Sequence, residues 1–401
     1  MKPFFVALAL ALAASSGIAQ DRKGPDPGAH PGVDAKRVKR AIDRGIEFLK
    51  TSDSPGHNQS TDADELILLT FIHAGQEAQP RFKTLFDKMM ADPLKDTYCV
   101  ALQAMVLEEL DRVRYQGRIH QCAQFLVDNQ AKTGQWGYGT PTTYPDALPV
   151  PRGDVPTGLI RKSPTLPRGA RNFEEPQTGR VKPKVQQHLA VKKNRDGGDG
   201  GDNSNSQYAA LGIRACHDAG IVFPREVIEV ARKWWLESQE KGDAKDAVAT
   251  GPGGGIPRGW GYGKPGEEKS YGSMSAGAIG AICIYDFILA IDFKKDKAVQ
   301  DGIAWLAKNF IPTNNPGKTD WFHYYYLYGC ERAGMLADVT HFGAHDWYLE
   351  GANLLLDQQR PDGAWGGDAP EYHKPAWSTC FAILFLKQAT RRLDVASTDR
   401  R

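Results

Sequence analysis

Residues 121–136 read QCAQFLVDNQAKTGQW, and a variant of this stretch recurs along nearly the whole chain. The recurring motif is a small residue, then an aromatic residue or Leu, an aliphatic or aromatic neighbour, Gln, and finally Gly-x-Trp. The complete copies with this spacing are Cys122, Phe125, Leu126, Gln130, Gly134 and Trp136, and then Gly351, Leu354, Leu355, Gln359, Gly363 and Trp365. A third copy, formed by Ala231, Trp234, Trp235 and Gln239, reaches its Gly259-Trp260 only after an intervening segment.

The spacing of three and four residues between the small and aromatic positions predicts one amphipathic helix per copy, with a glycine at its exit. A second kind of segment lies between the copies and is apolar around most of its circumference, so that it must be buried on all sides. These segments are residues 62–75, 96–110, 203–219, 271–290, 320–334 and 376–388. Regular self-similarity indicates one structural unit stacked repeatedly. The sequence therefore predicts an all-α (α/α)6 toroid in which six inner helices are wrapped by six outer helices.

The rest of the chain divides around this domain. Residues 1–19 have a lysine, an apolar run and a small-x-small site, which together predict a secretory signal peptide and an exported protein, periplasmic or secreted. Residues 20–35 are predicted to be a flexible linker, and 36–390 the toroid domain. Within the toroid, residues 141–201 are rich in proline and basic side chains and predict a long disordered insertion, with a lid over the toroid as the alternative. Residues 391–401 are predicted to be a disordered tail.

Composition excludes several classes of protein. The net charge is +2, so nothing indicates binding to nucleic acid or to an anionic membrane. After the signal peptide, no run of apolar residues predicts an integral membrane segment. The six cysteines fall on six different predicted helices, where we expect them to fill small buried positions rather than to form disulfides. No metal-binding spacing such as C-x-x-C occurs.

The repeated motif resembles the QW repeat of squalene/hopene and oxidosqualene cyclases and, more widely, the prenyltransferase and squalene oxidase repeats. The resemblance covers about residues 36–390. It implies an (α/α)6 toroid in which the Gln and Trp of each copy tie the C-terminal end of an outer helix to the next inner helix. Terpenoid cyclases and protein prenyltransferases of this family hold an isoprenoid in the central cavity. The resemblance thus implies a small apolar ligand, and no cofactor is expected.

Class II terpenoid cyclases of this family protonate their substrate with an Asp-x-Asp-Asp motif at the start of an inner helix. Residues 62–65 read DADE at the corresponding place, and the resemblance makes Asp64 the acid, kept protonated by burial and neighbouring carboxylates. The last position is Glu65 rather than Asp, and Leu66 replaces the usual Thr. The alternative interpretation is that these are ordinary acidic residues in a first helical turn.

Protein prenyltransferases of the same architecture bind zinc through an Asp-x-Cys pair and a His on separate inner helices. His323 matches the histidine, but Tyr271-Gly272-Ser273 stands where the pair is expected and offers neither carboxylate nor thiolate. A catalytic zinc site needs three protein ligands. No metal is therefore predicted, and the alternative role of His323 is that of a hydrogen-bonded histidine.

Asp202 opens another inner segment and is a second candidate acid, although capping of the helix accounts for part of its polar surroundings. Aromatic residues cluster where outer helices end and inner helices begin, hence around one rim of the toroid, where they suit stacking on sugars, contact with lipid or stabilisation of a cation. The candidate catalytic residues are Asp64, Asp202 and His323. The candidate substrate-binding residues are Asn203, Asn205, Tyr208, Tyr262, Tyr271, Ser273, Trp321, Tyr324, Tyr325 and Trp377.

Three functions remain open on the sequence. The first is an exported terpenoid-cyclase-like enzyme with an aromatic-lined central cavity and Asp64 or Asp202 as the acid. The second is a non-catalytic toroid that binds an apolar or peptide ligand in the same cavity. The third is an (α/α)6 glycan-active enzyme that uses paired carboxylates and aromatic platforms. The repeated motif favours the first two, and the incomplete acidic motif favours binding or a divergent reaction over cyclisation. The sequence predicts no oligomeric state.

Overall fold

A computed structural model describes residues 30–52, 64–144, 182–248, 255–367 and 374–393. The predicted signal peptide, most of the predicted linker and residues 145–181 of the predicted insertion lie outside these ranges. In the described part, outer and inner helices alternate along the chain. The outer helices are α1 (Ala35–Leu49), α3 (Pro80–Ala91), α5 (Gln116–Asp128), α7 (Arg225–Glu237), α9 (Lys297–Asn309) and α11 (Trp347–Gln358). The inner helices are α2 (Asp64–His73), α4 (Thr97–Asp111), α6 (Asn203–Asp218), α8 (Gly272–Leu289), α10 (His323–Ala337) and α12 (Pro375–Leu386).

The inner helices form a closed ring. Each inner helix packs against the next one in the chain, and α12 packs back against α2. Every outer helix packs on the outside of one or two inner helices, and α11 also contacts α1 where the chain closes on itself. The predicted all-α (α/α)6 toroid is therefore confirmed.

Burial explains the composition of the inner helices. Of these, α8 is long and apolar enough to cross a membrane, but 94% of it is buried inside the ring. Its apolar composition fits that position, because a helix surrounded by other helices has no face for water. All six cysteines are buried and none of them forms a disulfide, as expected for small apolar filling residues.

The tryptophans of the repeated motif make the same two hydrogen bonds in each copy. The indole N–H donates to a carbonyl oxygen of the preceding outer helix, and the backbone N–H donates to a hydroxyl group of the next inner helix. The indole bonds are Trp136 to Leu126 (2.7 Å), Trp260 to Trp235 (2.8 Å) and Trp365 to Leu355 (2.8 Å). The backbone bonds are Trp136 to Ser206 (3.0 Å), Trp260 to Ser275 (3.1 Å) and Trp365 to Thr379 (3.0 Å).

The glutamines of the motif reach the next outer helix rather than the next inner helix, which differs from the expectation. Their side-chain amides donate to backbone carbonyls as Gln130 to Val227 (2.8 Å), Gln239 to Ala298 (3.0 Å) and Gln359 to Ala41 (2.8 Å). The glycine between Gln and Trp has a positive φ at Gly134 (92°) and Gly363 (89°). A Cβ atom at Gly363 would lie 2.5 Å from the carbonyl oxygen of Arg44, so only glycine permits this approach.

The described part of the chain also contains two short strand pairs. Strand β1 (Leu189–Ala190) pairs in parallel with β2 (Ile221–Val222), and β3 (His341–Phe342) pairs antiparallel with β4 (His345–Asp346).

Residues 182–201, the last part of the predicted insertion, belong to the folded domain. They run along α5, where His120 Nε2 lies 2.9 Å from the Ala190 carbonyl oxygen and the Asn194 N–H donates to Asp128 over 2.9 Å. The first residue of the predicted disordered tail, Arg391, is also held, because it pairs with Glu108 over 2.8 Å. The predicted loss of order at both places therefore does not extend to these residues.

Candidate functional site

The N-terminal ends of the inner helices lie together at one end of the ring, which we call the mouth. The aromatic residues in the first turns of these helices, just before them or hydrogen-bonded to their first residues include Tyr98, Tyr138, Tyr262, Trp321, Tyr324, Tyr325 and Trp377. Tyr138 and Tyr262 are each 41% exposed and Trp321 is 48% exposed, which is unusual for such large rings.

Trp321, Tyr325 and Trp377 of the mouth belong to a continuous series of ring contacts across α10 and α12. The distances between ring centroids are 6.3 Å for Trp321–Phe322, 6.5 Å for Phe322–Tyr325, 5.6 Å for Tyr325–Phe381 and 5.8 Å for Phe381–Trp377. Such contacts fix the orientation of the rings. The mouth is therefore a preformed aromatic surface.

A cluster of hydroxyl groups lies between these rings. The Ser204 Oγ atom is 2.9 Å from the Tyr325 hydroxyl, and it also contacts the Tyr98 hydroxyl. Burial raises the pKa of both Tyr98 and Tyr325 well above the usual range for tyrosine. These phenols thus remain protonated and can both donate and accept hydrogen bonds.

Asp202 contributes a carboxyl group to the same end of the ring. It caps α6 by accepting a hydrogen bond of 2.7 Å from the Asn205 backbone N–H, and the Asn205 side chain donates to its other oxygen over 2.8 Å. Burial raises the pKa of Asp202, while the bonds from Asn205 and from Tyr262 oppose that change. Asp202 and Asn205 thus act as a cap, and Tyr262 connects this cap to the rim.

The axis of the ring below the mouth is filled by side chains. Tyr208, 1% exposed, packs at 4.4 Å from the Tyr98 ring and 6.1 Å from the Tyr325 ring, measured between centroids. Arg332, 2% exposed, donates to Gln207 over 2.9 Å and lies 4.5 Å from the centre of the Tyr328 ring. The expected ligand cavity at the centre is therefore occupied here by a buried guanidinium group and tyrosines. Tyr208 is part of this filling rather than of an open wall.

Several other candidate residues hold loops together. His323 is buried, and its Nε2 atom lies 2.7 Å from the Pro312 carbonyl oxygen. Ser273 exchanges hydrogen bonds with Asn315, with a distance of 3.1 Å between the Asn315 amide nitrogen and the serine hydroxyl oxygen. The Asn203 side chain accepts from the Trp234 indole over 2.8 Å. Tyr271 is buried, with the Lys318 ammonium group 4.8 Å from its ring centre. Among the described residues, no group of at least three potential ligands could hold a metal ion.

Asp64 lies at the start of α2, in a pocket of about 100 Å³ lined by residues of α2, α3, α4 and the loop between α3 and α4, which we call the acidic pocket. The Lys88 ammonium group forms an ion pair with the Asp64 carboxylate over 2.7 Å. Burial, together with the charges of Asp96 and Asp64, raises the pKa of Glu65 to about 8. The protonated carboxyl group at neutral pH is thus that of Glu65.

The size of the acidic pocket limits what can enter it. Sites for drug-sized ligands enclose roughly 300–1,000 Å³, whereas this pocket encloses about 100 Å³. An isoprenoid long enough to cyclise does not fit beside Glu65 in this volume.

Three of the residues that build these sites were not singled out from the sequence. Arg332 follows Glu331 within an otherwise apolar inner segment. Two adjacent charged residues in a buried helix need partners, so this pair could have been singled out from the sequence. Asp96 begins its helix as Asp202 does, so the comparison of helix starts would also have identified it. Tyr98 carried no such signal, because a tyrosine near a helix start is common.

Comparisons with known proteins bear on the fold alone. No family model matches the chain, and no well-characterised protein matches it in sequence. Two structures of variants of the type II terpene cyclase MstE from Scytonema, bound to geranylgeranyl dihydroxybenzoate, are 11% identical and superpose with TM-scores of 0.47 and 0.48. Each alignment covers 88% of this chain and 97% of the other.

A possible member of the GH105 family from Salmonella enterica gives a similar result. It is 11% identical, with a TM-score of 0.47, and the alignment covers 90% of this chain and 95% of the other. At these values the likeness is one of general shape. The toroid assignment rests on the closed ring of helices described above.

Proposed function

We propose that the protein binds carbohydrate at the mouth of the toroid. The observation that carries this proposal is the exposure of Tyr138, Tyr262 and Trp321 around buried hydroxyl and carboxyl groups. A sugar ring has apolar C–H faces and a belt of hydroxyl groups. It therefore matches a surface where aromatic planes stand beside groups that donate and accept hydrogen bonds.

The polar groups of the mouth are suited to hydroxyl groups rather than to a hydrocarbon. Ser204 and Tyr325 already bond to each other, so a ligand hydroxyl can join an existing network without leaving a group unpaired. A hydrocarbon chain covering the same atoms and the Asp202 carboxyl group would remove them from water without replacing their hydrogen bonds, which is unfavourable.

The filled axis also supports binding at the surface over binding in the interior. Arg332 and Tyr208 occupy the centre, and Arg332 is held by Gln207 and by the faces of tyrosine rings. Displacing this guanidinium group to admit an apolar chain would leave a buried charge without its partners. Export, which the sequence predicts, agrees with a polysaccharide ligand outside the cell.

The proposal is tested by isothermal titration calorimetry of the full chain with cellohexaose, xylohexaose and maltohexaose. We expect at least one of these to bind, and Trp321→Ala to weaken that binding about tenfold, since exposed tryptophans dominate such contacts. The matched control is Val113→Ala, because Val113 is 44% exposed beyond the C-terminal end of α4, at the opposite end of the ring.

The opposite result is also well defined. If none of the hexasaccharides binds, and geranylgeraniol binds in a manner that depends on Trp321, the ligand is apolar and the proposal is wrong. Equal effects of Trp321→Ala and Val113→Ala on hexasaccharide binding would place the site away from the mouth.

A further inference from the structure

The acidic pocket contains two carboxyl groups that each have one oxygen without a hydrogen-bond partner. These oxygens are Oε2 of Glu65 and Oδ2 of Asp96. The two residues are 9% and 5% exposed, and both line the pocket. Buried acceptors are nearly always satisfied in native proteins, so an unsatisfied pair facing one pocket indicates a group that enters from outside.

The lysines that line the pocket bind other carboxylates. Lys88 lies 2.7 Å from Asp64, and Lys95 lies 2.7 Å from Asp92. The remaining oxygen of Asp96 caps α4 by accepting from the Cys99 backbone N–H over 3.0 Å. The Cys99 thiol also contacts both carboxyl groups, but it is a single weak donor, so Glu65 Oε2 and Asp96 Oδ2 remain without a hydrogen-bond partner.

We propose that the acidic pocket binds a primary ammonium group, held between Glu65 and Asp96. An ammonium group carries one positive charge and three N–H donors, and so it can satisfy both oxygens at once. The pocket volume of about 100 Å³ corresponds to about three water molecules at ~30 Å³ each. That volume accepts an aminoethyl group but not a large ligand.

The pocket is reached from the surface, because the Lys88 and Lys95 side chains beside it are 45% and 47% exposed. The ammonium group can therefore belong to a free small amine or to the end of a lysine side chain. Both sources would place the same ammonium group at the carboxyl groups. They differ in the rest of the ligand, which stays outside the pocket.

Binding of an ammonium group should be linked to the release of a proton. The charged and titratable groups that face Glu65 come from each packed element, namely Asp64 on α2, Lys88 on α3, Asp92 and Lys95 on the connecting loop, and Asp96 and Cys99 at the start of α4. Because Glu65 is largely protonated at neutral pH, an entering cation favours its ionised form and displaces the proton. Affinity should consequently rise between pH 6 and pH 9, within the range where the amine stays protonated.

The test is calorimetry of the full chain with ethylammonium chloride and with N-acetyl-lysine amide, in two buffers that differ in ionisation enthalpy. We expect binding with release of up to one proton, and binding of tetramethylammonium that is at least tenfold weaker because it has no N–H donors. Glu65→Gln should weaken ammonium binding at least tenfold and abolish proton release. Asp87→Asn, which changes an exposed carboxylate of α3, should change affinity less than twofold.

A second variant keeps the test independent of folding. Asp96→Asn retains a helix cap, because asparagine is as good a cap as aspartate, and it too should weaken binding. A lysine derivative that binds tenfold more tightly than ethylammonium identifies a side chain as the source, and equal affinity identifies a free amine. The proposal is overturned if neither amine binds, if tetramethylammonium binds equally well, or if folded Glu65→Gln and Asp96→Asn proteins bind as the wild type does.

Discussion

The mouth and the opposite end of the ring, which we call the closed end, are built on the same inner helices with opposite chemistry. The mouth presents exposed aromatic rings and neutral hydroxyl groups. The closed end contains a network of buried and half-buried ionic residues, namely Glu108, Glu109, Lys182, Arg214, Asp218 and Arg391. Lys182 lies 2.8 Å from Glu109, and these two side chains are only 6% and 10% exposed.

The two ends differ in whether segments from outside the ring cover them. Two segments from outside the ring, the residues that begin at Lys182 and those that begin at Arg391, bring cations onto the carboxylates of α4 and so seal the closed end. At the mouth, the described segments leave Trp321 and its neighbours exposed. Buried ions are tolerated only with their full set of partners, so the closed end suits structure and the mouth suits binding.

The largest expected effect is at the closed end. Lys182→Met should lower the free energy of unfolding by about 3 kcal/mol, because it leaves Glu108 and Glu109 buried with fewer cations. Chemical denaturation at neutral pH measures this, with Lys39→Met in an exposed pair of α1 as the control. A loss no greater than that of the control would show that the ionic network is not what stabilises this end.

A smaller effect should distinguish the two ends by pH. The folded-state pKa of Glu65 is raised from 4.5 to about 8, so its contribution to stability is present below pH 4.5 and is lost as pH rises through 8. The stability of Glu65→Gln relative to the wild type should therefore be greater at pH 9 than at pH 5. Urea denaturation at pH 5 and pH 9 measures this difference, and identical pH profiles would contradict it.

The closed end responds to pH in the opposite direction. Cations beside Glu109 outweigh its burial and lower its pKa from 4.5 to about 2, so its contribution is present above pH 4.5 and is lost as pH falls towards 2. Burial lowers the pKa of His73 from 6.5 to about 4, so proton uptake on unfolding also weakens the fold below pH 6.5. Acid should thus open the closed end before the mouth. Hydrogen exchange can measure this, because at low pH the α4 amides near Glu109 should exchange faster than those near Tyr98.

The hydroxyl cluster at the mouth should contribute modestly to stability. Tyr325→Phe removes the bond to Ser204 and should cost about 1 kcal/mol, the usual net value of one hydrogen bond. Thermal unfolding combined with hexasaccharide titration separates this cost from any loss of binding. A much larger cost would mean that the cluster is structural, as the closed end is.

The smallest expected effect on stability belongs to the side chain with the largest expected effect on binding. Trp321→Ala should change the free energy of unfolding by less than about 0.5 kcal/mol, because the ring is 48% exposed and contacts Phe322 at the outer end of the aromatic series. Denaturant titration tests this, and a substantial loss would remove the contrast between an open mouth and a sealed end.

The sequence predicted the elements well because their signal is periodic and local. Apolar inner segments and the spacing of Gln130 and Trp136 depend on neighbours a few residues away, so the helices and their order could be read directly. The filling of the axis could not be predicted from the sequence. It depends on which long side chains from separate helices meet, as Arg332 and Gln207 do. The placement of Lys182 depends on a partner 74 residues away, which no local pattern encodes.

The same distinction applies to the candidate acids. Motif position singled out Asp64, but a neighbouring lysine from α3 pairs with it, and the carboxyl group whose pKa is raised by burial is that of Glu65. Two adjacent carboxyl groups in one helical turn cannot be told apart by sequence, since burial and ion pairing decide which of them is charged.

The hydrogen bond from Gln359 to Ala41 joins the last outer helix to the first with the same chemistry that joins Gln130 to Val227 in the middle of the chain. The contact that closes the ring is thus of the same kind as the contacts between successive repeats. Within the described residues, no repeat serves as a terminal cap. A circular permutant that connects residue 393 to residue 30 through a flexible linker, and that opens between residues 145 and 181, should keep every one of these links.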